Sequence, residues 1–435
     1  MIQFSQETTD NVLKILSEEI VPAQGCTEPI AIAFTAAKVK EVFQHTQINK
    51  VIIYVSGNIL KNVKSVVVPN SGGMIGIEVS AVMGLLFGDA SKDLMVISDI
   101  TAEQMEVVKE FLETTKVEVK HIPDVEKLYV MVEVRNDKHC SSVQIKHLHT
   151  NITQIKRDNE ILLEQACNDQ CFNTTYEDRE QLSVELIYNM AKVIDIEKIK
   201  PLMQKVIKFN SKIANEGLSG NYGVNIGKII EEHIDNGFYG DDVRNRAASF
   251  ASAGSDARMS GCALPVMTTS GSGNQGMAAS LGLIKYASIM KIDDTKLIRA
   301  LFFSHLATVH IKTNIGRLSA YCGVICSAAA FSGALCFIND DNLNMVSHAI
   351  ANTLGDVSGI ICDGAKSSCA MKIATTIYAA FDAYILATHG KYLQGGEGII
   401  ATDIEQTLKH IGQLSQDGMK VTDQVIIDIM SNTYH

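Results

Sequence analysis

The hydrophobic period of this chain changes twice, near Lys50 and near Arg157, and those changes limit the folds open to it. From about Lys50 to Lys156 short β-type runs recur: KVIIYVSG, SVVVP, LMVISDI, KVEVKHIP, LYVMVEVRND and SVQIKHLHTNITQIK. One helical stretch, TAEQMEVVKEFLETT, lies among them, and RNDKHC has the composition of a turn between antiparallel strands. After Arg157 the strand-like runs stop. REQLSVELIYNMAKVI, IEKIKPLMQKVIKFNSKIANEG and YGVNIGKIIEEHI carry helical spacing, and the remainder is helical too, in Ala/Ser/Gly-rich segments suited to close packing.

Two helices precede the strand block. Residues 5–20 place Val12, Leu13, Leu16 and Ile20 on one face. VPAQGCTEP interrupts the pattern, and Pro29 starts a second helix, IAIAFTAAKVKEVF. The expected fold is α+β. A mainly helical domain, residues 1–46 plus 159–435, carries a smaller mixed α/β domain, 47–158, inserted near the N-terminus. A length of 435 residues exceeds what one core usually serves, which agrees with two domains.

The net charge is −11 and no long Lys/Arg run occurs, which argues against nucleic acid or an anionic membrane as partner. MIQFSQETTDNVLKILSEEI reads as an acidic amphipathic helix rather than a leader. LSAYCGVICSAAAFSGALCFI, Leu318 to Ile338, is long enough to span a bilayer, but its Ala, Ser and Cys content points to a buried helix. The expected compartment is the cytoplasm. There the 10 cysteines stay mostly reduced, which favours metal-binding or catalytic roles over disulfides.

VMTTSGSGNQGMAAS contains a GxGxxG at Gly271, Gly273 and Gly276, with Asp293 and Asp294 near the distance of a ribose-binding acid. The segment after it, DDTKLIRALFFSHLATVHI, reads as an Asp-capped helix with no parallel strand following, so a dinucleotide site is not expected. The loop also resembles the SGN phosphate cradle of pyridoxal-phosphate enzymes, but no lysine occurs between Lys228 and Lys285 to form the Schiff base. What remains is a Gly/Ser/Asn loop opening a helix. Its free N–H groups suit an anion, and Ser270, Gly271, Ser272, Gly273 and Asn274 are the expected binders of a substrate carboxylate.

Cysteines form the second constellation. Cys322 lies in SAYCGVICSAAA, and Cys362 and Cys369 in GIICDGAKSSCAMK. Three thiolates on separate turns can hold three irons of a cubane cluster and leave the fourth iron open as a Lewis acid. Cys326, one helical turn on, could take the place of Cys322; Cys336 reads as a packed small residue. Cys167 and Cys171, in ACNDQC, have a zinc-like spacing but no matching pair. Lys312, Arg317, Lys366 and Lys372 bring positive charge near the proposed cluster. In QGCTEP, Cys26 precedes a Pro-started helix whose N-terminal amides would lower its pKa, and Glu28 adds an ionisable group beside it. His305 and His310, five apart in one helix, do not form a ligand pair, and packing or hydrogen bonding is expected of at least one.

GCTEPIAIA, SGSGNQG, IGRLSAYCGV and ICDGAKSSCAMK together resemble the bacterial and archaeal L-cysteine desulfidase family, which is more distantly related to the α-chain of iron–sulfur L-serine dehydratases. The resemblance runs over essentially the whole chain. It implies a [4Fe-4S] cluster without pyridoxal phosphate, and conversion of L-cysteine to pyruvate, ammonia and sulfide. By motif match the cluster ligands fall on Cys322, Cys362 and Cys369. Cys26 takes the remaining motif cysteine's place, in catalysis or as a displaceable fourth ligand. In the serine dehydratase relatives a C-terminal cysteine occupies the open iron at rest; this chain ends SNTYH, so Cys26 is the expected substitute. Cys26 is the expected base for the α-proton, with Lys366 as its rival. L-serine dehydration by the same mechanism, a pyridoxal-phosphate lyase and a non-catalytic amino-acid-binding protein remain the competing readings. The partner expected is a small amino acid, with the Ala/Gly-rich helices making a homodimer the expected assembly.

Overall fold

The computed structural model describes residues 3–165, 179–340 and 342–432. The chain opens with α1 (Gln6–Glu19), whose N-cap Ser5 accepts a hydrogen bond from the Thr8 amide, then β1 (Pro22–Gln24) and α2 (Thr27–Phe43). The strand block holds β2 (Lys50–Val55), α3 (Gly57–Val63), α4 (Ile77–Phe87), α5 (Ala102–Thr114), β3 (Lys116–His121), β4 (Tyr129–Arg135), β5 (Cys140–Lys146), β6 (Ile152–Arg157) and β7 (Glu160–Glu164). Its sheet runs in the order β3-β2-β4-β5-β6-β7. The β2–β3 pair is parallel and the others antiparallel.

Helices follow: α6 (Val184–Val193), α7 (Ile196–Ser219), α8 (Ile226–Asp235) and α9 (Val243–Met259), then the short β8 (Pro265–Met267). After it come α10 (Gly273–Met290), α11 (Asp294–Thr313), α12 (Gly323–Asn339), α13 (Leu343–Val357), α14 (Ser368–Thr388), α15 (Ile404–Gln413) and α16 (Lys420–Asn432). The fold is therefore α+β, as expected.

Two hydrophobic cores divide the chain at a different place from residue 46. Val12, Ile15, Leu16 and Ile20 of α1 pack into the helical core, whereas Ile30, Ala33, Phe34 and Ala37 of α2 pack with Val51, Val130 and Val143 of the sheet. The reason is steric as well as apolar: a Cβ on Gly84 of α4 would lie 2.1 Å from the Ala33 carbonyl oxygen, so α2 and α4 pack backbone to backbone. β1 pairs antiparallel with β8 and stitches the segment between α1 and α2 to the helical core.

Three strand expectations fail. SVVVP makes only a single bridge, Val67 to Ile75. LMVISDI ends a short 3-10 helix (Ala90–Met95) and continues as turns, and the buried Leu94, Val96 and Ile97 pack in the same core as α2 instead of joining a ladder. SVQIKHLHTNITQIK bends back on itself at residues 147–151 to make two strands. β7 was not expected, because its mostly exposed Glu-Ile-Leu-Leu-Glu lacks alternation. The apolar stretch from Leu318 becomes α12, buried almost throughout. A different helix, α14, is long and apolar enough to cross a membrane by length and composition, and half of that window is buried within the protein.

Candidate active site

Four helix N-termini meet where the two cores face each other. Cys26 is the N-cap of α2, Ser272 of α10 and Cys322 of α12, and Cys369 lies in the first turn of α14. All four residues, with Cys362, line one cavity. Each helix start contributes unsatisfied N–H groups and a positive dipole end, so the cavity favours anions and thiolates.

The backbone fixes the three C-terminal thiols. Tyr321 and Ile361 form an antiparallel bridge. The Cys362 amide donates to the Ala320 carbonyl at 2.6 Å, and the Cys322 amide to the Ile360 carbonyl at 3.2 Å. These two bonds hold Cys322 beside Cys362. The chain then turns at Gly364, φ +98°, where a Cβ would meet the Lys61 carbonyl oxygen at 2.5 Å. That turn returns Cys369 to the cavity, its Sγ 3.7 Å from the Gly364 carbonyl. Burial pushes the Cys322 and Cys369 thiols up, and for Cys322 the charges of Cys362 and Cys369 add to it. Such thiols lose their protons when a metal binds.

No three His, Cys, Asp or Glu groups among the described residues converge on a single ion position. Three thiols spread around one cavity suit instead a cluster in which each thiolate holds its own iron. The donor set fits an iron–sulfur cluster. Cys326 does not line the cavity; it lies in the helical core, where burial pushes it up to about 11. Cys336 is a packed residue whose Sγ donates to the Met345 carbonyl. Cys167 and Cys171 lie outside the described residues.

The GxGxxG loop opens a helix, but the strand before it pairs antiparallel with β1 and the next element is α11, so no βαβ unit forms. Its glycines serve packing. Gly271 has φ +76°, a Cβ on Gly273 would lie 2.4 Å from Arg258 Nε, and one on Gly276 would lie 2.0 Å from the Met267 carbonyl oxygen. Of the five expected carboxylate binders, Ser272 and Asn274 line the cysteine cavity. Gly271 lines a neighbouring cavity of about 940 Å³, and Ser270 and Gly273 line neither. The Asn274 amide is turned away: its Oδ1 accepts from Ser255 Oγ and its Nδ2 faces Met259 sulfur. The loop's offer to a ligand is thus chiefly the N-terminal amides of α10.

At the α2 end, Glu28 is the hub. Its Oε2 accepts from Cys26 Sγ at 3.0 Å and Thr27 Oγ1 at 3.1 Å, and its Oε1 from Asn62 Nδ2 at 3.1 Å. Thr27 Oγ1 also lies 2.9 Å from the Gly271 carbonyl, so its single proton is shared between that oxygen and Glu28, tying α2 to the glycine loop. The thiol is not acidified here. Burial first, then the Glu28 charge, push Cys26 well above the ordinary thiol range and outweigh the helix N-terminus.

Lys366 is not brought to the cavity. Its ammonium pairs with the Asp363 carboxylate and carbonyl. Lys372 lines the cavity but is held by Asp363 Oδ1 at 2.6 Å, and Arg317 is held by Glu19 at 2.8 Å. His305 Nδ1 bonds Thr269 Oγ1 at 2.6 Å, and burial holds it neutral, down to about 3; His310 Nε2 bonds Glu405. Sequence reasoning passed over Asn62 and Arg258, both in the lining. Arg258 had a signal: it is one of two charges, with Asp256, in the otherwise small-residue run ASFASAGSDARMS of α9, whose residues Ala247–Met259 are all buried.

The Serine dehydratase alpha chain family matches residues 91–428, which makes this a serine dehydratase-like protein of the lyase type. The chain belongs to that family. It is also 56% identical over 422 residues to a UPF0597 protein of Fusobacterium nucleatum, covering 97% of this chain and 99% of that one. UPF0597 proteins of Lachnoclostridium phytofermentans and Desulfitobacterium hafniense are 42% and 44% identical over 97% of this chain, covering 99% and 96% of their own lengths. The family expected from the motifs holds at the serine dehydratase level, and the desulfidase reading is taken up below.

Proposed function

We propose that this protein is an iron–sulfur-dependent β-eliminase that converts L-cysteine to pyruvate, ammonia and sulfide. The observation that carries the reading is the presence of Cys322, Cys362 and Cys369 in one cavity with the N-terminus of α10. Those three thiolates would hold a [4Fe-4S] cluster, which supplies Lewis acidity toward the leaving heteroatom when bound.

The chain's own groups account for the rest. The α10 amides, with Ser272 at the cap, receive the substrate carboxylate. Glu28 Oε2 takes the Cys26 proton across their 3.0 Å hydrogen bond, and Cys26 Sγ then takes the α-proton. As the Cα–H pair forms the new double bond, the β-substituent leaves with the bonding electrons of its carbon. The resulting enamine tautomerises to an imine, which water hydrolyses to pyruvate and ammonia. Asn62 and Thr27 hold the Glu28 carboxylate in place for the first transfer.

L-serine is the second reading, favoured by the family match; it differs from L-cysteine by one atom in the leaving group. The test is pyruvate release from L-cysteine and L-serine under argon, with sulfide assayed for the former. Release from either supports β-elimination and the ratio names the substrate. Release from neither by iron-loaded protein overturns the proposal.

A further inference from the structure

Three buried polar atoms on residues that line the cysteine cavity lack partners: Arg258 Nε, Asn62 Oδ1 and Gln275 Oε1. Their side chains are only 2%, 7% and 4% exposed. Leaving a buried guanidinium without a counter-ion is among the costlier arrangements a fold can carry. Arg258 forms no ion pair among the described residues; Asp256, two positions before it, accepts from the Gly227 amide at Oδ2 and makes no contact with the guanidinium that would form an ion pair. Contact with Gly273 sets the guanidinium directly against the first residue of α10. The corner where Arg258 meets the α10 amides is thus one anion-binding point of the cavity; Lys312, 4% exposed and also in the lining, is a second cation, under the influence of Cys322, Cys326 and Cys362.

On the acceptor side, Asn62 already gives its Nδ2 to Glu28, which fixes its Oδ1 as the free atom. Gln275 packs its amide on Gly323 at the start of α12, between the glycine loop and Cys322. The Arg258 cation at the α10 corner and two buried acceptors in the same cavity are the complement of a zwitterion, with a carboxylate at one end and an ammonium at the other.

We infer that Arg258 binds the α-carboxylate and that Asn62 and Gln275 accept from the α-ammonium, so the cavity selects small α-amino acids over amino amides and 2-hydroxy acids. This inference rests on the elimination reading for the choice of cavity. It assigns specificity to residues outside the cysteine motifs.

The test is calorimetric titration of the anaerobically prepared chain with L-alanine, L-alaninamide and L-lactate. L-alanine has no leaving group, so binding is read without turnover. The expected result is that L-alanine binds roughly 10- to 100-fold more tightly than either analogue, the range for hydrogen bonds to charged groups. Arg258→Gln should abolish the preference over L-alaninamide and keep that over L-lactate; Gln275→Met should narrow the latter alone. Circular dichroism checks folding. If Arg258→Gln does not fold, Arg258→Lys, expected to keep part of the preference, and the wild-type ligand series decide. The inference is overturned if wild-type protein binds L-alaninamide as well as L-alanine, or binds none of the three. It is overturned equally if Arg258→Gln loses iron but keeps its carboxylate preference, which would make Arg258 a charge partner of the thiolates only. A carboxylate preference without pyruvate release would remove the elimination reading and leave this one standing.

Discussion

Cys26 Sγ donates a hydrogen bond to Glu28 Oε2 at 3.0 Å, inside a cavity that also holds Cys322, Cys362 and Cys369. A buried thiol beside a carboxylate stays protonated until the carboxylate accepts its proton. The pair therefore works as a unit, with Glu28 the acceptor and Cys26 the group facing the substrate.

Glu28→Gln keeps the size of the side chain and, with its carbonyl at the Oε1 position, the hydrogen bond from Asn62, but removes the proton acceptor. The expected outcome is a fall in kcat of roughly 100-fold with KM changed much less, the usual size of a lost general base. Steady-state pyruvate assays under argon measure it. An unchanged kcat would move the base elsewhere.

The close approach of Gly276 to the Met267 carbonyl makes this glycine structural. Gly276→Ala should destabilise the fold by about 3 kcal/mol, at the upper end of overpacking effects. Urea denaturation followed by circular dichroism measures the change. A loss confined to ligand binding, with stability intact, would contradict the packing role.

Lys61 and Asp423 form a buried ion pair at 2.6 Å, and Lys61 also donates to the Cys362 carbonyl at 3.2 Å. Asp423→Ala strands the lysine and should cost about 3 kcal/mol. Because Lys61 anchors the Cys362 loop, iron content should fall with it. Metal analysis at equal folded fraction tests the link between α16 and the site.

Desolvation raises Asp256 from its ordinary 3.8 to about 7. The folded state then keeps a proton that the unfolded chain has released. Its contribution to stability is full below pH 3.8 and is lost as pH rises to about 7. Asp256→Asn cannot ionise, so the Tm difference between variant and wild type should move in the variant's favour between pH 5 and 8. Parallel Tm–pH curves would contradict the assignment.

The residues that were legible were those whose chemistry needs a special residue type at a special spacing. Cys322, Cys362 and Cys369 announce themselves because thiols in Gly/Ser turns have little packing purpose, and the glycine loop shows itself as a helix start. Asn62 and Arg258 were not legible as site residues, since each acts through a place in space that only the meeting of two cores creates. Lys366 was misplaced because three residues separate it from Asp363, close enough on a turn for a local ion pair that charge counting does not reveal. The allocation of α2 failed for a similar reason. An Ala-rich helix buried on most sides reads the same whichever core receives it, and the contact of Gly84 with Ala33 decides.

The most direct test of the account is iron and acid-labile sulfide per chain, in protein reconstituted under argon, for wild type and for Cys322→Ser, Cys362→Ser, Cys369→Ser and Cys326→Ser. The account predicts about four irons per chain in the wild type, as a cubane cluster requires. It predicts the same in Cys326→Ser, and a loss of most of the iron in each of the other three. A colourless, iron-free wild type, or iron retained in all three cavity variants and lost only in Cys326→Ser, would contradict it.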